Sequence, residues 1–121
     1  MIEAAKRDIE TIPIADAIDS LESENTIFVD LRDIREIQRE GMIPGAFHCP
    51  RGMLEFWVHP QSPYHKPIFA ARGKKFVFYC ASGWRSALAT RDMQALGLNP
   101  VAQVEGGFSA WKKAGGSVAE K

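Results

Sequence analysis

The sequence predicts an α/β domain built on a parallel sheet, and three observations carry the prediction. Thr26-Ile27-Phe28-Val29 and Phe76-Val77-Phe78-Tyr79 are continuous apolar runs without the alternation of a half-exposed strand, and too short for buried helices. Such runs suit strands buried on both faces. Each is followed by a helical pattern, and strands alternating with helices imply right-handed βαβ units whose strand ends open on one edge of the sheet. The 121 residues predict a single domain over positions 1–121, able to bury roughly two-thirds of the unfolded chain's surface without disulfides.

Taken in order, Glu10-Thr11-Ile12 reads as a short edge strand. Pro13 then opens a helix with Ile14, Ala17, Ile18 and Leu21 as its apolar stripe. The Thr26–Val29 strand ends in Asp30-Leu31-Arg32, and Asp33 with Glu36 three residues on has the form of a capping box for a helix that Gly41 stops. Ile43-Pro44-Gly45-Ala46 is a turn into a short strand, Phe47-His48-Cys49. From Arg51 to Phe69 the chain carries Phe56, Trp57, Tyr64 and Phe69 among prolines, with Met53 to Val58 as one helical piece. These aromatics must pack on the domain's own core, a partner subunit or the rim of the site. His59 and His65 lie there without a cysteine or carboxylate cluster to complete a metal site, so they are read as exposed or packed. Arg72-Gly73-Lys74-Lys75 is a solvated basic turn.

After Phe76–Tyr79 and a short loop, Leu88, Ala89, Met93, Ala95 and Leu96 share one helical arc, with Asp92 the intruder and Gly97 at the left-handed C′ position. Val101–Val104 is the fifth strand. Gly106-Gly107 allows close backbone approach before a helix carrying Phe108, Trp111 and Ala114, with Phe108 and Trp111 as its core anchors.

Cys80 thus stands at the carboxyl end of a buried strand, facing the positive end of the next helix, which favours an anion there. A free thiol is only ~3% ionised at pH 7. The amides of Ala81, Ser82, Gly83, Trp84 and Arg85, the helix dipole and the Arg85 guanidinium are together sufficient to raise that fraction to a majority. The other reading of Cys80 is an inert buried thiol. Arg85 is five positions after the cysteine, giving Cys-x4-Arg. A Cys-x5-Arg loop cradles phosphate in cysteine-dependent phosphatases. One residue fewer makes a tighter ring of amides, suited to a sulfur atom or a persulfide.

Cys80-Ala81-Ser82-Gly83-Trp84-Arg85-Ser86 resembles the Cys-x-x-Gly-x-Arg-Ser/Thr active loop of single-domain rhodaneses, the sulfurtransferases. Two further stretches agree: Val29-Asp30-Leu31-Arg32 through Gly41-Met42-Ile43-Pro44-Gly45-Ala46, and Glu105-Gly106-Gly107-Phe108-Ser109-Ala110-Trp111 through Gly115. The resemblance implies a rhodanese-like three-layer α/β/α fold with a five-stranded parallel sheet in the order 1-5-4-2-3. It implies Cys80 as nucleophile, with Ala81, Ser82, Gly83, Trp84 and Arg85 around the substrate and Arg32 as a second cation. Asp30 is read as holding loops, and for Arg32 that role stands beside the cationic one. The chain departs from the family pattern at Met42, where histidine is usual, and after Gly115, where Gly116-Ser117-Val118 lacks the usual proline, so a looser C-terminus is expected. Cys49 occupies a usually apolar position, which favours a buried small hydrophobe over a resolving thiol.

Fifteen Lys and Arg against fifteen Asp and Glu leave no net charge, and no basic cluster interleaved with aromatics appears, so neither nucleic acid nor an anionic membrane is suggested as partner. Two cysteines are too few for a secreted disulfide framework, and the N-terminus has no apolar signal core, so a cytoplasmic location is expected. The function these readings imply is sulfur transfer from a small anionic donor such as thiosulfate to a thiol or cyanide through a Cys80 persulfide, with no metal or organic cofactor, by a monomer or weak homodimer. A persulfide relay for a partner protein and a non-catalytic rhodanese-like interaction module are the alternatives. The presence of Cys80 argues against the module.

Overall fold

The computed structural model describes residues 2–70, 73–98 and 100–120. Five parallel strands lie in the order β1 (Glu10–Ile12), β5 (Val101–Val104), β4 (Lys75–Tyr79), β2 (Thr26–Asp30), β3 (Phe47–His48), the order that the resemblance implied. The pleat sends Val29, Phe76 and Phe78 to one face, against Leu54 and Val58 of α4 (Leu54–Val58) and Ala89 and Met93 of α5 (Trp84–Leu96). Phe28, Val77, Tyr79, Ala102 and Val104 go to the other, against Ala17 of α2 (Ile14–Asp19) and Phe108 and Trp111 of α6 (Gly107–Lys113). Both faces are covered, which is why the central strands read as unbroken apolar runs.

Local signals place the remaining boundaries. At the start of α3 (Ile34–Glu40), Asp33 accepts from the Arg35 amide at 2.8 Å and Glu36 reaches back to the Asp33 amide at 3.1 Å, the capping box expected. Gly97 closes α5 at φ 108°, its N–H bonded to the carbonyls of Met93 and Gln94. Asp92, the polar intruder on α5, accepts from Arg51 at 2.9 Å. Two of the four aromatics between β3 and β4 pack inward: Trp57 and Phe69 meet Phe47 of β3 edge-on, and Phe69 lies against Phe76. Phe56 and Tyr64 pair with each other in the open.

One feature goes beyond the sequence reading and one differs from it. A helix, α1 (Ile2–Asp8), precedes the first strand. It packs on α5, buries Ala5 and receives a hydrogen bond from Gln94 on its last carbonyl. Tertiary packing holds a segment whose own pattern is weak. The C-terminus is tied down without its proline, because Met42 and Ala119 form an antiparallel bridge with both bonds at 2.8 Å and Trp111 Nε1 donates to the Ser117 carbonyl. Of the expected basic turn, Arg72 lies outside the described residues. Among the described residues no helix is long and apolar enough to cross a membrane.

Candidate active site

Cys80 directly follows the central strand β4, and the chain turns through Ala81, Ser82 and Gly83 into α5. Gly83 is at φ 103°, a left-handed conformation that side chains rarely adopt, and it turns the loop amides inward. The Gly83 N–H lies 3.2 Å and the Ser86 N–H 3.4 Å from the Cys80 sulfur, with Ser86 Oγ at 3.6 Å. Helix α6 fixes the other side of the loop: the amides of Phe108 and Ser109 donate to the carbonyls of Cys80 and Ala81 at 2.8 and 3.0 Å. With those carbonyls held outward, the following amides are free for the sulfur. Gly107 makes this approach possible, since a Cβ there would lie 2.5 Å from the Cys80 carbonyl oxygen.

Burial alone pushes the Cys80 thiol up. Hydrogen bonds from the Ser86 hydroxyl and from the amides of Ser86, Gly83 and Ser82 outweigh it, holding the thiol below its ordinary value. Cys49 shows the contrast: equally buried but without such donors, its thiol is pushed up to about 12.

Arg85 leaves the first turn of α5 and makes a bidentate ion pair with Glu36, at 2.9 and 3.1 Å. The hydrogen bond from Arg85 holds the Glu36 carboxyl below the usual carboxylate range. The sulfur also favours the charged form of Arg85, so this one guanidinium serves both. Glu36 was legible in the sequence only as a helix cap, and the capping box gives no sign of its second partner. Ala81 is half-buried, Gly83 buried, and Ser82 exposed. Trp84 is 66% exposed at the rim of the loop. Beside the loop, Ala81 borders a cavity of about 190 Å³ lined also by Glu40, Phe108, Ser109, Lys112 and Lys113. The two lysines carried no signal in the sequence beyond a solvated helix end.

Of the two roles read for Arg32, the geometry fits the one that holds loops. Its side chain is fully buried, bonded through Nε and Nη2 to Asp30 and through Nη2 to the Gly41 carbonyl at 2.7 Å. The guanidinium carbon lies 4.2 Å from the centre of the Phe108 ring. It has no exposed surface, its bonds join the end of β2 to the end of α3, and its Nη1 is left without a hydrogen-bond partner, 3.9 Å from Glu40 Oε2. The spacing of Asp-x-Arg brings the pair to the right edge of the sheet without showing which way the guanidinium turns.

A buried cysteine met by loop amides at the carboxyl edge of a five-stranded parallel sheet defines the class of site. The model of the rhodanese-like domain matches residues 14–114, and the chain belongs to that family. Its sequence is 30% identical over 94 residues to a sulfurtransferase from Allochromatium vinosum, covering 78% of each. It is 33% identical over 94 residues to the uncharacterized protein slr1261 of Synechocystis, covering 78% of this chain but 47% of that one, so the chain spans about half the length of that relative. Among solved structures it is similar to a protein of unknown function from Rhodopseudomonas palustris, described as a possible tyrosine phosphatase. The match is 57% identical with a TM-score of 0.94, covering 98% of this chain and 90% of that one.

Proposed function

We propose that the protein is a sulfurtransferase acting through a Cys80 persulfide. The Cys80 thiolate attacks the sulfane sulfur of a donor such as thiosulfate. The new S–S bond forms as the donor's own S–S bond breaks, its electron pair leaving with sulfite, so one thiolate and one thiosulfate give one persulfide anion and one sulfite. A thiophilic acceptor, cyanide or a thiolate, then takes the terminal sulfur and returns the Cys80 thiolate. The amides about the sulfur stabilise the anion at both stages, as an oxyanion hole does. Arg85, partly exposed and already oriented by Glu36, holds the charged end of the donor.

The observation that carries this reading is the convergence of the Gly83 and Ser86 amides on a buried sulfur within a Cys-x4-Arg loop. Intact mass spectrometry after incubation with thiosulfate tests it: the wild type should gain one sulfur atom and Cys80→Ser none. The same serine variant should abolish thiocyanate formation with the fold intact, because a serine hydroxyl is neither ionised nor polarisable enough to attack sulfur. Cys49→Ala should keep most of the activity. Substantial turnover by Cys80→Ser would sink the assignment. The description of the Rhodopseudomonas relative raises phosphate-ester hydrolysis as the competing chemistry. The shorter ring argues against it, and hydrolysis of an aryl phosphate should stay at background. A Cys80-dependent rate above background would show that the ring accommodates a phosphoryl group.

A further inference from the structure

Behind the nucleophile runs a buried polar chain that the reaction above does not use. Ser86 Oγ lies 3.6 Å from Cys80 Sγ and 2.8 Å from Gln103 Oε1, and Gln103 Nε2 lies 3.2 Å from Thr11 Oγ1. Gln103 is 1% exposed and Ser86 fully buried. Thr11 and Gln103 stand opposite each other on β1 and β5, and Gln103 is paired with Phe78 on β4. A glutamine in the middle of Val101-Ala102-Gln103-Val104, a strand otherwise apolar throughout, calls for a polar reason.

Ser86 has one hydroxyl proton and two claimants. Donated to Gln103 Oε1, it leaves Ser86 Oγ to accept from the Cys80 S–H, which suits a neutral thiol. Facing a thiolate or a persulfide anion, Ser86 must donate to sulfur, and Gln103 Oε1 would then lose its donor in a buried site. Rotating the carboxamide by half a turn removes the conflict: Nε2 donates to Ser86 Oγ, and Oε1 accepts from the Thr11 hydroxyl. Each of the three groups has both a donor and an acceptor, so the whole chain reverses its direction without leaving a buried group unpaired.

We propose that Gln103 is a positioning residue for sulfur transfer, a carboxamide whose reversal lets Ser86 give its proton to Gln103 when Cys80 is a thiol and to the sulfur when Cys80 is an anion. A carboxylate could only accept here and an ammonium only donate. The charged groups around the chain are placed so as not to substitute for it. Arg85 on α5 pairs with Glu36 of α3, the Arg32–Asp30 pair at the end of β2 is tied to the Gly41 carbonyl at the end of α3, and Glu10 of β1 is bonded to Lys75 of β4. The catalytic meaning rests on the persulfide reading, but the reversal itself is a property of the thiol and thiolate.

The experiment follows the Gln103 side-chain amide protons by NMR while pH is swept across the Cys80 titration, monitored at the cysteine Cβ. In the thiol form their nuclear Overhauser contacts should be to the Thr11 methyl, and in the thiolate form to the Ser86 Hβ protons. Contacts that stay with Thr11 in both charge states overturn the proposal. No donor is needed, so a failure to transfer sulfur and a failure to reverse are separate results. Gln103→Met adds an independent measure. If Gln103 held the Ser86 proton permanently, its removal would free that proton for the sulfur and lower the Cys80 pKa by about one unit. A reversing amide instead strengthens the Ser86 hydroxyl as a donor to the anion, so Gln103→Met should raise the pKa by a few tenths of a unit. The rise should vanish in a Ser86→Ala background, where the hydroxyl through which Gln103 acts is gone. A fall in the pKa, or a rise of the same size without Ser86, overturns the assignment whatever happens to the melting temperature.

Discussion

Arg85 pairs with the carboxylate of Glu36, whose bidentate fit fixes the plane of its guanidinium, and the Cys80 sulfur further favours its charged form. Arg85→Ala therefore removes a cation near the sulfur and leaves Glu36 without its partner, and both changes disfavour the thiolate. Alkylation of Cys80 by iodoacetamide, measured against pH, should rise through a midpoint below that of a free thiol in the wild type. In Arg85→Ala the curve should move to higher pH. A lost charge-assisted contact to the donor of ~1.5–3 kcal/mol corresponds to a drop in kcat/KM for thiosulfate of ~10- to 150-fold. Arg85→Lys keeps a point charge but only one arm of the fork, so its loss should be intermediate. Equal losses in the two variants with a matching fall in melting temperature would instead make Arg85 a builder of the loop.

At the scale of elements, the loop is shaped from behind by α6 as much as by its own residues. Gly107 is at φ 63°, and a Cβ there would meet the carbonyl of Cys80 and the backbone of Ala81. Gly107→Ala combines a left-handed backbone with a clash against main chain, which cannot give way as a flexible side chain would. It should destabilise the protein by at least about 2 kcal/mol. The first amides of α6 would also be pushed off the loop carbonyls, so activity at a temperature where the variant remains folded should fall as well. A thermal melt and a thiosulfate assay on the same preparation check both. Full activity with an unchanged melting temperature would show that α6 does not set the loop.

At the scale of the whole molecule, Arg32 binds the end of β2 to the end of α3 and lies on Phe108 of α6, inside the protein and beside the site rather than in it. Arg32→Met leaves Asp30 buried without its cation. Breaking such a pair costs about 3–5 kcal/mol, which for a domain of this size lowers the melting temperature by ~10–20 °C. KM for thiosulfate in the folded fraction should not change. A raised KM at an unchanged melting temperature would return Arg32 to the donor.

The two central strands, β2 and β4, were legible because Thr26–Val29 and Phe76–Tyr79 are short runs without polar alternation, and a strand covered on both faces leaves no other pattern. The candidate loop was legible too, since Cys80, Gly83, Arg85 and Ser86 are local in sequence and one loop and one helix start suffice to bring them together. The capping box at Asp33 and Glu36 is local in the same sense. What tertiary structure alone decided is everything that depends on a partner far along the chain. Glu36 meets Arg85 across 49 positions, Asp92 meets Arg51 across 41, and Gln103 joins Thr11 to Ser86 only because β1 lies next to β5 beneath α5. α1, weakly amphipathic by itself, exists because α5 offers it a surface. Arg32 could be placed at the right edge of the sheet from its distance to β2, but whether it faced solvent or the core depended on Phe108, brought against it by α6.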